Sequence, residues 1–137
     1  MTKEQKDLLL RDLCARLPYF TKVQIKNEIV VLDSICDDDG YHFNFIGDDG
    51  EGVNIENIKP YLFPLSSMTE EQKRFIKNKI CYDWDIDDHP YSLWAFCIDI
   101  GDVDELIDWF NENHFDYRGL IPMGIANDAT GLNIYAQ

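Results

Sequence analysis

The stretch that decides the fold is "KVQIKNEIVVLDSICDDDGYHFNF", residues 22–45. Val23 and Ile25 alternate with polar neighbours, and so do Phe43 and Phe45 near its end, a two-residue period typical of a half-buried β-strand. Between them, "EIVVLDSI" is more continuously apolar and β-branched, which predicts a central strand. The acidic, glycine-containing segments "CDDDG" and "GDDGEG" are predicted to form hairpin loops.

Two further segments complete this β-rich block. "GVNIENI" is predicted to supply a short last strand, and "KPYLFP" is predicted to lead away from the sheet. Four short strands with tight turns, within about 40 residues, predict a small, strongly bent antiparallel sheet, and an SH3-like barrel is one arrangement that fits.

About three helices are predicted to pack with this sheet. "MTKEQK" at 1–6 and "MTEEQK" at 68–73 each place Gln three residues after Thr, the capping box that marks a helix start. The first helix is predicted from Thr2 to Arg16 and the second from Thr69 to Ile80. The third begins at "GDVDELIDWF", with Asp102 as its N-cap.

Apolar residues recur at three- and four-residue spacing in each helix, which predicts one buried stripe per helix. Charged residues of the first helix, Asp12 among them, are expected on the solvated side. "SLWAFCIDI" is predicted to be a buried strand, with a helix that opens at Pro90 as the alternative, and the tail "GLIPMGIANDATGLNIYAQ" is predicted to be a returning edge strand. The sequence therefore predicts a single α+β domain over residues 1–137. The predicted stripes are Leu9, Leu10, Leu13 and Leu17; Phe75, Ile76 and Ile80; and Val103, Leu106, Ile107 and Phe110.

Charge restricts the classes of partner. The net charge is −14, from 26 acidic and 12 basic residues. Direct binding to nucleic acid or to an anionic membrane is disfavoured, because phosphate neutralisation needs clustered Lys and Arg. A basic protein partner is compatible with this charge. No apolar run approaches the roughly 18 residues of a membrane span, and the N-terminus lacks the pattern of a signal peptide, so a cytoplasmic protein is predicted.

The cysteines offer no metal or disulfide pattern. Cys14, Cys36, Cys81 and Cys97 lie far apart, without a C-x-x-C pair. In a reducing compartment such residues are expected to be small, buried apolar groups.

The densest acidic stretch is "DWDIDDH", residues 83–89. Its first three aspartates have the spacing that begins a calcium loop, but an EF-hand then needs Gly at position six and Glu at position twelve. Asp88 and Trp94 occupy those positions. Because Trp84 and Ile86 alternate with the aspartates, an amphipathic surface strand is predicted instead.

No catalytic, metal-binding or cofactor-binding motif is present, so no catalytic residue, metal ligand or cofactor is predicted. His42, His89 and His114 are scattered, and a protonated His114 would suit the C-terminal dipole of the third helix. A metal or catalytic site assembled in space from scattered Asp, His and Cys residues stays open as an alternative. The acidic turns at 37–39 and 48–51 are its clearest candidates, although turn chemistry explains them as well.

The most distinctive segment is "NHFDYRGLI", residues 113–121. His114, Asp116, Tyr117 and Arg118 form a candidate protein-interaction patch, since Tyr and Arg dominate interface hot spots. The alternative is that Arg118 pairs with Asp116 or a neighbouring acid and locks the turn that Gly119 permits.

Three segments, "LLLRDLCARLPY", "IKPYLFPLSSMTEEQK" and "DWFNENHFDYRGLI", carry a resemblance. They resemble signature segments of a family of small, largely uncharacterised proteins encoded by phages, prophages and mobile elements of gut anaerobic bacteria. The resemblance implies a mobile-element origin, an intracellular setting and a role on a host protein. It supplies no catalytic residue or cofactor.

Three hypotheses of function follow. The first is a non-enzymatic protein-binding module that modulates a host protein, in keeping with the absent catalytic motifs and the many aromatic residues. The second is an acidic inhibitor that mimics nucleic acid towards a basic host protein. The third is an enzyme or metal protein with a site built from scattered residues. The oligomeric state is left undetermined.

Overall fold

The computed structural model describes residues 1–77 and 103–135. The acidic stretch at 83–89, the predicted strand "SLWAFCIDI", Cys81 and Cys97 lie outside the described residues. The described helices and strands are α1 (Lys3–Arg16), β1 (Lys22–Ile25), β2 (Glu28–Asp37), β3 (Tyr41–Phe45), β4 (Lys59–Leu62), α2 (Glu70–Lys77), α3 (Val103–Glu112) and β5 (Asn127–Asp128).

Both predicted capping boxes are present. The Thr2 hydroxyl accepts from the backbone N–H of Gln5, while the Gln5 side chain accepts from the N–H of Thr2. Thr69 and Gln72 repeat these two bonds at α2. Each box satisfies two amide donors that a helix start leaves without an intrahelical partner, which confirms these two helix starts.

The described strands form an open, mixed sheet in the order β3-β2-β1-β4-β5. β1 pairs antiparallel with β2 and with β4, and β2 pairs antiparallel with β3, whereas β4 and β5 pair in parallel. β2 lies inside the sheet, as its apolar composition predicts. Lys26 and Asn27 both have positive φ and turn β1 into β2, the backbone of a type I′ hairpin.

The free edge of β3 is covered by the loop that follows it. Phe45 and Asp48 exchange two backbone hydrogen bonds of 2.9 and 3.1 Å. Gly50 then lies against the edge: a Cβ built on it would come within 1.8 Å of the Phe43 carbonyl oxygen. The loop therefore blocks an edge that would otherwise be open to strand pairing.

The prediction for residues 53–64 is wrong in detail. Ile55–Asn57 form a single 3₁₀ turn, and the fourth strand is Lys59–Leu62, within the segment predicted to leave the sheet. Pro60 is tolerated in this strand because it lies near its start, and pairing with β5 begins only at Tyr61.

Two groups of buried apolar side chains hold the described chain together. In the first, Leu9 and Leu13 of α1 pack on the inner sheet residues, among them Val23, Ile25 and Leu32. The second joins residues of α2, α3 and the segments beside them. Its buried members are Leu65, Met68, Ile76, Leu106, Phe110, Phe115 and Tyr117.

The α+β class with three helices is confirmed for the described residues. Their sheet does not close, so the barrel arrangement is not confirmed. The tail does return as an edge strand, β5. In the described part of the chain, no helix is long and apolar enough to cross a membrane.

The prediction of buried cysteines is wrong for two of the four. Cys14 and Cys36 are exposed. Cys14 lies on α1 beside Leu13 but off the stripe that contacts the sheet, and Cys36 lies near the exposed end of β2.

Candidate functional site

The four residues of the predicted interaction patch occupy different environments. Asp116 and Tyr117 are buried, whereas His114 and Arg118 are half-buried. They follow α3 in a turn that begins at His114, whose φ is 62°, and that includes Gly119 with φ 76°. The four residues thus share one turn, but the side chains of two of them, Asp116 and Tyr117, are buried in the interior. An interaction role for the patch stays a prediction.

Asp116 locks the turn through the backbone. Its two carboxylate oxygens accept from the N–H groups of Leu120 and Ile121, at 2.8 and 2.9 Å. Burial raises the pKa of Asp116, and the two backbone hydrogen bonds act in the opposite direction. The carboxylate is therefore a structural group that orders residues 116–121.

Arg118 pairs with an acid, but the acid comes from α1. Its Nη1 donates to Asp12 Oδ1 at 2.7 Å, across 106 residues of sequence. The other Asp12 oxygen accepts from Arg16 Nε at 2.9 Å. Asp12 and Arg16 are both fully buried, so the expectation of a solvated Asp12 is wrong. Their spacing of four residues, in step with Leu9 and Leu13, is the signal that sequence analysis missed.

Asp12, Arg16, Asp116, Tyr117 and Arg118 form a buried polar cluster. Arg16 Nη2 donates to the Phe115 carbonyl at 2.6 Å, and the Tyr117 hydroxyl donates to Asn111 Oδ1 at 2.9 Å. The Arg16 and Arg118 guanidinium carbons lie 5.3 and 4.5 Å from the centre of the Tyr117 ring. Asp12 is thus the acid that pairs with both guanidinium groups, and the buried Arg16 Nη1 has no hydrogen-bond partner among the described residues.

A cavity of about 520 Å³ lies beside this cluster, a volume in the range of small-molecule and side-chain binding sites. The ends of α1, β1, β4 and α3 and the C-terminal tail converge on it. Aromatic rings dominate its wall. They belong to Tyr19, Phe20, Phe63, Phe115 and Tyr135.

The tail is held against the cavity by Tyr135. Its hydroxyl accepts from the backbone N–H of Lys22 and donates to the Tyr61 carbonyl, both at 2.8 Å. The His114 ring stacks on the Tyr135 ring, with centroids 3.7 Å apart and planes 14° from parallel. The Lys22 ammonium donates to the carbonyl of Ile134. The tail wall is thereby fixed to β1 and β4.

Two residues of the cavity wall have backbone conformations that residues other than glycine rarely adopt. Phe20 has φ 55° and ψ 44°, and His114 has φ 62°. The left-handed region costs an aromatic residue about 1–2 kcal/mol. Phe20 is also 69% exposed, so burial of its own ring does not compensate for this cost. Such strain next to a cavity is typical of functional sites.

His114 is held in its neutral form. Burial, followed by the charges of Arg16 and Lys22, lowers the pKa of His114 to about 4. Its buried Nδ1 also lacks a hydrogen-bond partner among the described residues. The expectation of a protonated imidazole at the end of α3 is therefore wrong, because burial, and then the nearby Arg16 and Lys22, disfavour the charged form.

Acidic side chains lie near Tyr19 at the cavity. Glu112 lines it, and partial burial together with the carboxylates of Asp108 and Glu112 raises the pKa of Tyr19. Asp108 and Glu112 are exposed and lie one turn apart on α3. Tyr19 and Phe20 thus project from the end of α1 beside two carboxylates.

The acidic turn at 48–51 is explained by its own backbone. Asp48 accepts from the N–H of Gly50, and Asp49 from that of Glu51, as in ordinary Asx turns. Within residues 1–77 and 103–135, no three His, Cys, Asp or Glu side chains are placed to hold a metal ion.

Sequence analysis missed Phe20, Lys22 and Tyr135. The available signal was an apolar aromatic residue, Phe20, placed directly after the Pro18 turn, where no strand or helix pattern requires one. The tail residue Tyr135 had no signal, because its hydrogen-bond partners Lys22 and Tyr61 lie 113 and 74 residues earlier.

No protein-family model, curated protein or solved structure matches this chain.

Proposed function

We propose that this chain is a non-enzymatic protein-binding module of the cytoplasm that modulates a host protein, and that the aromatic cavity beside Phe20 receives the partner. The observation that carries the proposal is Phe20 itself. It is a large apolar side chain, mostly exposed, in a backbone conformation that destabilises the free protein. A residue whose conformation and exposure both disfavour the free protein is expected to serve binding.

Three further features support a binding role. Five of the twelve residues that line the cavity are Phe or Tyr, and aromatic residues are enriched in interface hot spots. The wall is also rigid, because Tyr135 and the buried polar cluster fix it from behind, so little conformational freedom remains to be lost on binding. His114 is neutral and stacks on Tyr135, and the Tyr135 hydroxyl is hydrogen-bonded to the backbone. Both side chains therefore have a structural role in the cavity wall, which fits a binding function better than acid–base catalysis.

The test is a capture experiment from lysate of the host cell, with the wild type, Phe20→Asn and Ile46→Asn compared. Asn accepts the left-handed conformation better than Phe does, so the first variant removes the ring without a folding penalty. Ile46 is 55% exposed and lies outside the cavity, which makes it the matched control. The proposal requires a partner that is retained by the wild type and Ile46→Asn and lost by Phe20→Asn. Equal retention by all three proteins would contradict it.

A second candidate function, mimicry of nucleic acid towards a basic protein, is favoured by one observation. Asp104, Asp108 and Glu112 are exposed at four-residue intervals along α3, which places successive carboxylates about 6 Å apart along the axis. Mimicry predicts that duplex DNA displaces the captured partner and that high salt releases it. A partner that survives both treatments excludes mimicry and leaves the aromatic cavity as the contact.

A further inference from the structure

We infer that the cavity beside Phe20 accepts a basic side chain of the partner, an arginine in particular, between the Tyr19–Phe20 rings and the Glu112 carboxylate. The inference rests on the proposed function and names the chemistry of the group that enters. It is argued from the arrangement of rings and charges around the cavity.

The rings of Tyr19 and Phe20 offer surfaces on which a cation can bind. A cation is attracted to the face of an aromatic ring within about 6 Å, and a planar guanidinium also stacks on it. The protein already uses this contact with its own cations: Arg118 lies over Tyr117, and Lys22 lies 5.9 Å from the centre of the Tyr135 ring. Tyr19 and Phe20 offer the same kind of surface, and Phe20 is largely exposed to solvent.

Two carboxylates near Tyr19 supply the negative charge for a bound cation. Glu112 lines the cavity on the side of Tyr19, and Asp108 lies near that ring as well. No basic side chain of residues 1–77 and 103–135 forms an ion pair with Glu112. An entering guanidinium would therefore meet a carboxylate that has no competing partner there, next to aromatic faces.

Among the described residues that line the cavity, Lys22 is the one with a permanent positive charge, and it is attached to the tail. Its ammonium donates to the Ile134 carbonyl and lies over Tyr135, so it belongs to the tail side. His114 carries no charge near neutral pH, since its pKa is about 4. The net charge of −14 further favours a basic partner over an acidic one.

The experiment is a ¹H–¹⁵N NMR titration with two blocked tripeptides, acetyl-Gly-Arg-Gly-amide and acetyl-Gly-citrulline-Gly-amide. The two side chains have nearly the same shape and differ in charge. We expect the arginine peptide, at up to about 10 mM, to shift the amide resonances of Tyr19, Phe20 and Asn113, and the citrulline peptide to shift them much less. Equal shifts from both peptides, or no shift at these amides, would overturn the inference.

Two variants locate the charge. Glu112→Gln is expected to lower the affinity for the arginine peptide about three- to tenfold, because it removes the ion pair at the aromatic site. Asp33→Asn changes the net charge equally but lies outside the cavity, and it should leave the affinity unchanged. Equal weakening by both variants would show a diffuse charge effect and overturn the inference.

Failure of the inference and failure of the proposed function are distinguishable. If the captured partner depends on Phe20 but binds Glu112→Gln as tightly as the wild type, the cavity receives an uncharged group and only the inference fails. If capture does not depend on Phe20, the proposed function fails with it.

Discussion

Arg118 donates to Asp12 at 2.7 Å across 106 residues, and the same carboxylate accepts from the fully buried Arg16. This shared acid joins the first helix to the turn after the third helix. Because the turn carries His114, and the 3₁₀ turn after the first helix ends at the strained Phe20, one buried carboxylate positions two walls of the proposed binding cavity.

Removal of the Asp12 carboxylate should lower the free energy of unfolding strongly. Asp12→Asn leaves two guanidinium groups short of one negative charge, and breaking a buried ion pair in this way costs about 3–5 kcal/mol. The change is measured as the free energy of unfolding in urea. Asp7→Asn, at an exposed position of the same helix, is the control and should fall within about 0.5 kcal/mol of the wild type. Similar losses for the two variants would contradict the assignment.

The Tyr135 hydroxyl is predicted to attach the C-terminal tail to β1 and β4. Tyr135→Phe removes the group that accepts from the Lys22 N–H and donates to the Tyr61 carbonyl. Leaving these buried backbone groups without partners should lower the free energy of unfolding by about 1–3 kcal/mol. Tyr41→Phe, at a 52% exposed ring, should have no measurable effect. A Tyr135→Phe protein as stable as Tyr41→Phe would show that the tail contributes nothing.

The covered edge of β3 predicts an unusual contrast between glycines. Gly50 and Gly52 have similar positive φ values, 68° and 75°, but only a Cβ at Gly50 would collide with the Phe43 carbonyl. Gly52→Ala should therefore cost about 1–2 kcal/mol, for conformation alone. Gly50→Ala should cost clearly more, because the loop must also leave the strand edge. Equal melting temperatures for the two variants would argue against the covered edge.

The neutral His114 makes stability depend on pH. Between pH 6.5 and about 4, the unfolded chain binds a proton at this residue and the folded chain does not, so the free energy of unfolding falls as pH is lowered through this window. The loss should be on the order of 2 kcal/mol, less than the full shift implies because the ring is partly exposed. Asp116 contributes in the opposite direction, since burial raises its pKa.

His114→Asn isolates this effect, because Asn tolerates the left-handed backbone and does not titrate. Urea unfolding of both proteins between pH 4 and pH 7 gives two stability profiles. The difference between them should shrink as the pH falls. A constant difference across the range would show that His114 titrates normally in the folded protein.

Much of the fold could be predicted because it depends on local pattern. The two Thr–Gln capping boxes, the alternation in β1 and β3 and the central position of β2 all follow from neighbouring residues. The fourth strand was misplaced because Pro60 argues locally against a strand, whereas the register with Val23 places it near the strand start.

The candidate site depends on contacts between distant segments, which a local pattern does not encode. The pairing of Arg118 with Asp12 and the stack of His114 on Tyr135 each join separate parts of the chain. Sequence analysis identified the turn at 113–121 as distinctive, and the structure explains why: its polar residues order the turn and support the cavity from inside.

The binding role of Phe20 is tested by two measurements on Phe20→Asn: its melting temperature and its affinity for the captured partner. We expect a melting temperature equal to or above that of the wild type, because Asn relieves left-handed strain of about 1 kcal/mol. We expect affinity at least about tenfold weaker, as for a binding hot spot. A variant that is less stable but binds as tightly as the wild type would contradict the central claim, since Phe20 would then serve the fold and not the partner.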